Sequence, residues 1–231
     1  MAGLYVTSPD GLGTLAVAAG GDITLQGAQI RNAGANGLTQ IAAAGNVNLS
    51  TLTTSRNTDL THGDNHYRTA STTQVGTTVQ GAGDVVVQAG NDVNLAAAQV
   101  SAGDALAVQA GGDITSQAAV DSTSLDWAQR GGSYSRTVTA SDETVQGSTF
   151  TAGGDLALSA GNDLTLQSAT VVSEAGGIAL AAGRDVSLTT AQEEHALSVD
   201  ETRKKASPGR QRVQIVPLAI GHAWRCRRAG V

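Results

Sequence analysis

One phrase recurs along this chain: Ala-Gly-x-Asp, followed at once by a short apolar alternation. It reads Ala19-Gly20-Gly21-Asp22-Ile23-Thr24-Leu25, then Ala89-Gly90-Asn91-Asp92-Val93-Asn94-Leu95. It returns at Asp113, Asp155, Asp163 and Asp185, with a looser copy at Ala44-Gly45-Asn46-Val47-Asn48-Leu49. A fixed phrase at fixed spacing makes the chain an array, and an array folds by stacking its repeats.

The spacing has several levels. Asp84 and Asp92 are 8 apart in sequence, as are Asp155 and Asp163, while Asp104 and Asp113 are 9 apart. Next comes a spacing of 20 to 22, as from Asp92 to Asp113 and from Asp163 to Asp185. Above these, Asp22, Asp92 and Asp163 are 70 and 71 apart. Tyr67 and Tyr134, which differ by 67, and Val79 and Val145, which differ by 66, serve as two further landmarks of that coarse period. Three copies of this long unit therefore run from about Thr14 to about Lys205, the last one incomplete.

Each phrase predicts a turn followed by a strand. Glycine supplies φ > 0, and Asp or Asn tolerates the turn and bonds the following amide. We expect Asp22, Asn46, Asp84, Asp92, Asp113, Asp155, Asp163 and Asp185 to be structural turn residues. The alternation after each turn is the period-2 signature of a strand with one face buried. Strands this short form no stable sheet alone. They do so when coils of about 20–22 residues stack strand on like strand at ~4.8 Å. The expected fold is all-β: a parallel β-helix of eight or nine coils, roughly 40 Å long by that spacing. A helical solenoid is disfavoured by 29 glycines and abundant β-branched residues. An aromatic fraction of 3% suits a narrow interior.

Between the coils lie polar stretches at Ser50–Gln80, Ala119–Ser148 and Thr190–Lys205. Alternation such as Tyr134-Ser135-Arg136-Thr137-Val138 predicts a β-hairpin or extended flap leaving the coils. Tyr67, Trp127 and Tyr134 on these stretches are the candidates for contact, because aromatic side chains concentrate at interfaces.

Residues 1–205 form the repeat region and carry a net charge of −11, whereas 206–231 hold five arginines and no acid. An acidic body argues against a nucleic-acid partner. The tail abandons the repeat and is expected to be irregular; an out-of-frame segment and a native basic linker both account for it. Cys226 is the sole cysteine, so no disulfide framework exists. No stretch approaches the ~18 apolar residues of a span, so no transmembrane segment is expected. Met1-Ala2-Gly3-Leu4-Tyr5-Val6 lacks the basic start and apolar run of a leader, and Met1 is expected to lie inside a longer protein.

Three chemical readings are weighed against plain structure. The Asp series lacks the glycine pattern of a calcium β-roll, in which neighbouring turns supply oxygens. His62, Asp64 and His66 lack further zinc ligands. His195 beside Glu193 and Glu194 sits in a charged run typical of a solvated face. No cofactor, metal or catalytic residue is expected.

On these phrases the chain resembles the hemagglutinin-repeat region of filamentous hemagglutinins, and especially the later repeat block of contact-dependent growth inhibition exoproteins. The resemblance covers about residues 14–205. It implies a right-handed parallel β-helix, export through an outer-membrane two-partner secretion transporter of a Gram-negative bacterium, and display at the cell surface. It further implies a target-cell surface or glycan as partner, and a role as an adhesin or toxin-carrier rod. Two alternatives stand beside it: a polysaccharide-acting β-helix enzyme and a non-functional truncated gene fragment. The enzyme would break the repeat with carboxylates inserted at one coil, whereas these acids follow the repeat.

Overall fold

A computed structural model describes residues 2–7, 11, 13–204 and, as backbone, 211–214. The regular elements among them are all strands. The first coil is β1 (Gly3–Val6), β2 (Thr14–Ala19) and β3 (Ile23–Gln26); the second is β4 (Gln29–Asn32), β5 (Leu38–Ala43) and β6 (Val47–Ser50). An excursion follows, β7 (Leu52–His62) and β8 (Asn65–Val75). Coil three is β9 (Thr78–Gly81), β10 (Asp84–Ala89) and β11 (Val93–Ala96), and coil four is β12 (Gln99–Ala102), β13 (Leu106–Ala110) and β14 (Ile114–Gln117). The second excursion is β15 (Ala119–Arg130) and β16 (Tyr134–Gln146). Coil five is β17 (Thr149–Ala152), β18 (Leu156–Ala160) and β19 (Leu164–Gln167), and coil six is β20 (Thr170–Ser173), β21 (Ile178–Ala182) and β22 (Val186–Thr189). The chain continues into β23 (His195–Arg203) and β24 (Gln211–Gln214).

The chain divides into two compact units. The first comprises Met1–Thr54, Thr73–Val120 and Val145–Gln192. It is a parallel β-helix whose first, second and third strands of each coil build three six-stranded sheets. Register is kept from coil to coil: Val47, Val93, Ile114, Leu164 and Val186 are successive partners in the third sheet. The second sheet stacks Ile41, Val87, Val108, Leu158 and Leu180, and the first stacks Ile30, Val79, Val100, Phe150 and Val171. Every second residue points inward, as the pleat requires. The rows through coils two to five form one apolar interior in which Phe150, the only phenylalanine, is fully buried.

The second unit comprises Ser55–Thr72, Asp121–Thr144 and Glu193–Val231. Its strands form one sheet in the order β24-β23-β16-β15-β8-β7. The hairpins foreseen in the polar stretches are present. The sequence did not reveal that they pair with one another, β8 with β15 and β16 with β23, both antiparallel.

Three expectations need correction. Six coils, rather than eight or nine, are formed among the described residues, because the three excursions add no rung to the β-helix. The glycines of the repeated phrase do not supply positive φ; among described glycines only Gly27 and Gly63 have it. Instead, a Cβ on Gly90, Gly111, Gly161 or Gly183 would strike the carbonyl oxygen of the preceding coil, at Ala44, Gly90, Gly111 and Gly161 respectively. These glycines permit close stacking of backbones. Finally, Val79 stacks in one row with Phe150 and not with the level of Val145. The two hairpins differ in length, so the Tyr67–Tyr134 and Val79–Val145 landmarks do not measure the repeat.

Within the tail, Gln211–Gln214 form β24 on β23. Residues 205–210 and 215–231, with Cys226 and the rest of the atypical segment, lie outside the described residues. No helix among the described residues is long and apolar enough to cross a membrane.

Candidate functional site

The predicted turn residues fall into two rows on the β-helix. Asp22, Asn46, Asp92, Asp113, Asp163 and Asp185 occupy the corner between the second and third strands of coils one to six. Their side chains form a ladder. The Asn46 amide donates to Asp22 Oδ1 (2.7 Å), the Asp92 amide to Asn46 Oδ1 (3.1 Å) and the Asp113 amide to Asp92 Oδ1 (2.8 Å). The Asp163 amide donates to Asp113 Oδ1 (3.0 Å) and the Asp185 amide to Asp163 Oδ1 (3.2 Å). Asp84, the first residue of β10, and Asp155, just before β18, mark the other corner and accept from the amides of Ala105 (3.0 Å) and Gly177 (2.8 Å). The fine spacing, as from Asp84 to Asp92, is thus the distance between the two corners of one coil.

The bonding differs from the local turn expected. Each of these side chains but that of Asp185, in the sixth coil, reaches an amide of the next coil, not of the next residue. A carboxylate oxygen accepting a backbone N–H is a charge-assisted bond. Arg184 donates to Asp163 Oδ2 (2.8 Å) and lies 3.9 Å from Asp113, which offsets repulsion along the row. Among the described residues no three His, Cys, Asp or Glu side chains converge on a point suited to a metal.

The second unit gathers the aromatic candidates. Tyr67 on β8 is the direct cross-strand partner of Trp127 on β15. Together with Leu60, His62, His66 and Gln129 they line a recess of about 420 Å³. Leu60 is 63% and Tyr67 43% exposed, so this apolar surface is open to solvent. The Arg136 guanidinium lies 5.8 Å over the Trp127 ring. Its Nε is buried without a hydrogen-bond partner. Tyr134 is apart from that pair: it faces Arg203 on β23, whose guanidinium is 5.7 Å over the ring. Two of the three aromatic candidates are therefore brought together, and Trp127 and Tyr134 each present a cation–π face to an arginine.

Charged side chains occupy the alternate positions of the same strands, on the other face from Leu60, Tyr67 and Trp127. His66 Nε2 is 3.0 Å from Asp126 Oδ1, so it is engaged across strands rather than turned toward Asp64 and His62. Arg68 donates to Asp59 (3.1 Å) and lies 3.9 Å from Asp126. The Asp59 carboxyl is held below the usual carboxylate range, first by the Thr61 hydroxyl and then by Arg68. At the far edge His195 faces Asp142, with Nδ1 2.5 Å from its carboxylate and Nε2 3.6 Å from Glu193. The Asp142 hydrogen bond raises the His195 pKa. This ring lies between two carboxylates.

Sequence reasoning missed Leu60, Asp126 and Arg136. Arg136 lies two positions beyond Tyr134 on one strand face, a signal that was present. Leu60 and Asp126 gain meaning only through pairing between distant hairpins.

The family model of the hemagglutinin repeat matches residues 54–132 and 126–206. Each match starts in the first strand of a hairpin, β7 and β15. Each match runs through the second strand of that hairpin, the two coils after it and the first strand of the next excursion, β15 or β23. No curated protein and no solved structure compared with the chain matches it.

Proposed function

We propose, for a chain that belongs to the hemagglutinin repeat family, a mechanical and adhesive role. It is a rod segment of the filamentous hemagglutinin type, within a secreted exoprotein displayed at the surface of a Gram-negative cell. Residues 1–205 serve as the repeat region and 206–231 as a separate basic tail. The hemagglutinin repeat is a structural adhesin repeat, and our reading assigns this segment no reaction and no cofactor. The parent reaches the surface through an outer-membrane two-partner secretion transporter. It acts there as an adhesin or as the carrier of a contact-dependent toxin, meeting a target-cell surface or its glycans.

The observation that supports this reading is the division of labour inside each repeat. Two coils supply a stacked ladder with a continuous apolar interior, which gives length and stiffness. The hairpins supply charged side chains and the aromatic ones, with Tyr67 exposed and Trp127 and Tyr134 half-buried, which give contact. Loops and excursions carried on a regular scaffold are where binding resides. The experiment is binding of the fluorescently labelled chain to intact bacterial and epithelial cells. We expect saturable binding that Trp127→Ala weakens at least tenfold. Absence of saturable binding on both cell types, or binding indifferent to Trp127→Ala and Tyr67→Ala, overturns the contact role.

A further inference from the structure

The hairpin sheet grows by one rule. The second strand of each hairpin pairs antiparallel with the first strand of the next excursion: β8 with β15, and β16 with β23. The register is the same both times. Tyr67 faces Trp127 in one pairing and Val138 faces Val199 in the other. The step from Tyr67 to Val138 equals that from Thr78 to Thr149, between the coils that follow the hairpins. The step from Trp127 to Val199 equals that from Ile114 to Val186, between the coils that precede them.

β7 is a first strand of this kind. Coil two precedes β7 as coil four precedes β15, and the step from Val47 to Ile114 measures their offset. By the same step Asp59 stands where Asp126 stands, and Leu60 where Trp127 stands. Yet β7 ends the sheet: no described strand lies beyond it. It is 11 residues long and exposed at all but one position. The hairpin turn at Gly63–Asp64 leaves His62 and Asn65 as the last bonded pair. Bonding then alternates, so Ser55, Asn57, Asp59 and Thr61 direct their amides and carbonyls away from β8. A long edge with free backbone groups is a template for a further strand.

On the matching side β15 receives a strand that β7 does not have, although Arg68 of its own hairpin already reaches Asp59 (3.1 Å). β8 brings His66 to 3.0 Å and Arg68 to 3.9 Å from Asp126. We propose that the free edge of β7 docks an antiparallel strand of the β8 type, the second strand of a hairpin from another hemagglutinin-type repeat, with its cationic side chain opposite Asp59. This rests on the sheet geometry and not on the export or adhesion reading, so either can fail without the other.

The test uses the full chain and a labelled synthetic peptide with the sequence of residues 65–75. We expect saturable one-to-one binding by fluorescence anisotropy, with new amide-exchange protection confined to residues 52–62. A peptide carrying Arg68→Glu is expected to bind at least fivefold more weakly, and Asp59→Lys in the chain to restore it. Asn57→Pro, which removes an outward amide, is expected to abolish binding while circular dichroism is unchanged. If that variant fails to fold, the charge exchange between Asp59 and Arg68 decides. Four outcomes overturn the proposal: no saturable binding, equal binding of a scrambled peptide, protection appearing in β15 instead of β7, or β7 already protected by a second copy without peptide.

Discussion

At the scale of single residues, the Asp ladder rewards an acceptor oxygen and not a negative charge, as Asn46 shows by serving between Asp22 and Asp92. Asp113→Ala leaves the Asp163 amide without its partner and is expected to cost about 1 kcal/mol. Asp113→Asn keeps the acceptor and relieves repulsion along the row, so at low salt it is expected to match or exceed the parent. Urea denaturation of both variants checks this; equal loss in both would mean that charge, not the bond, matters. His195 carries a pH dependence of definite sign. Its folded pKa lies above the ordinary 6.5, so its contribution to stability is complete below 6.5 and is lost as pH rises through the folded value. NMR titration of the ring is expected to show the raised value, and Asp142→Asn to return it toward 6.5. An unchanged midpoint would discard the Asp142 hydrogen bond as cause. This ring is exposed, so salt is expected to screen part of the effect.

At the scale of elements, the corner from third strand to next first strand has one backbone solution. Gly27, Ala97 and Ser168 occupy it with φ of 53°, 44° and 50°. They recur at the coarse period of the sequence. Left-handed backbone costs an L-residue about 1–2 kcal/mol. Glycine's own entropy and the lost methyl contact offset part of the gain. Ala97→Gly is therefore expected to stabilise the β-helix by about 0.5 kcal/mol. A thermal melt that falls instead would show that burial of the Ala97 methyl outweighs the strain. The same corner explains where hairpins leave. Coils one, three and five make the tight left-handed turn, whereas coils two, four and six run straight on into an excursion. The return is fastened by a buried hydroxyl, Thr77 donating to the carbonyl of Leu25 (2.8 Å) and Ser148 accepting from the amide of Ala98 (3.2 Å).

At the scale of the whole chain, the coils of the β-helix are unequal. Coils two to five bury their inward aliphatic side chains, whereas in coil six Ile178 is 49%, Val186 48% and Leu188 68% exposed. Repeat proteins open from the ends, because a terminal repeat has one neighbour instead of two. Native-state amide exchange is expected to be slowest in β10, β13 and β18 and faster by at least tenfold in β2 and β21. Uniform protection across the five strands would contradict this gradient. The two matches to the hemagglutinin repeat fit the same picture, since each runs from one excursion through two coils into the next excursion rather than over a free-standing globule.

Much of this was legible in order. Alternation such as Val93-Asn94-Leu95 placed strands, and the recurring Asp placed corners. The step from Asp92 to Asp113 placed coils, and the step from Asp92 to Asp163 placed repeats. Those signals are local or strictly periodic, and inward-facing rows demand them of the sequence directly. The tertiary structure alone decided which amide each Asp side chain reaches, why the phrase needs glycine, and that the hairpins join in one sheet. Each of these depends on backbones brought within bonding distance from well separated parts of the chain. No local pattern records that approach when hairpins of unequal length shift the offset between partners.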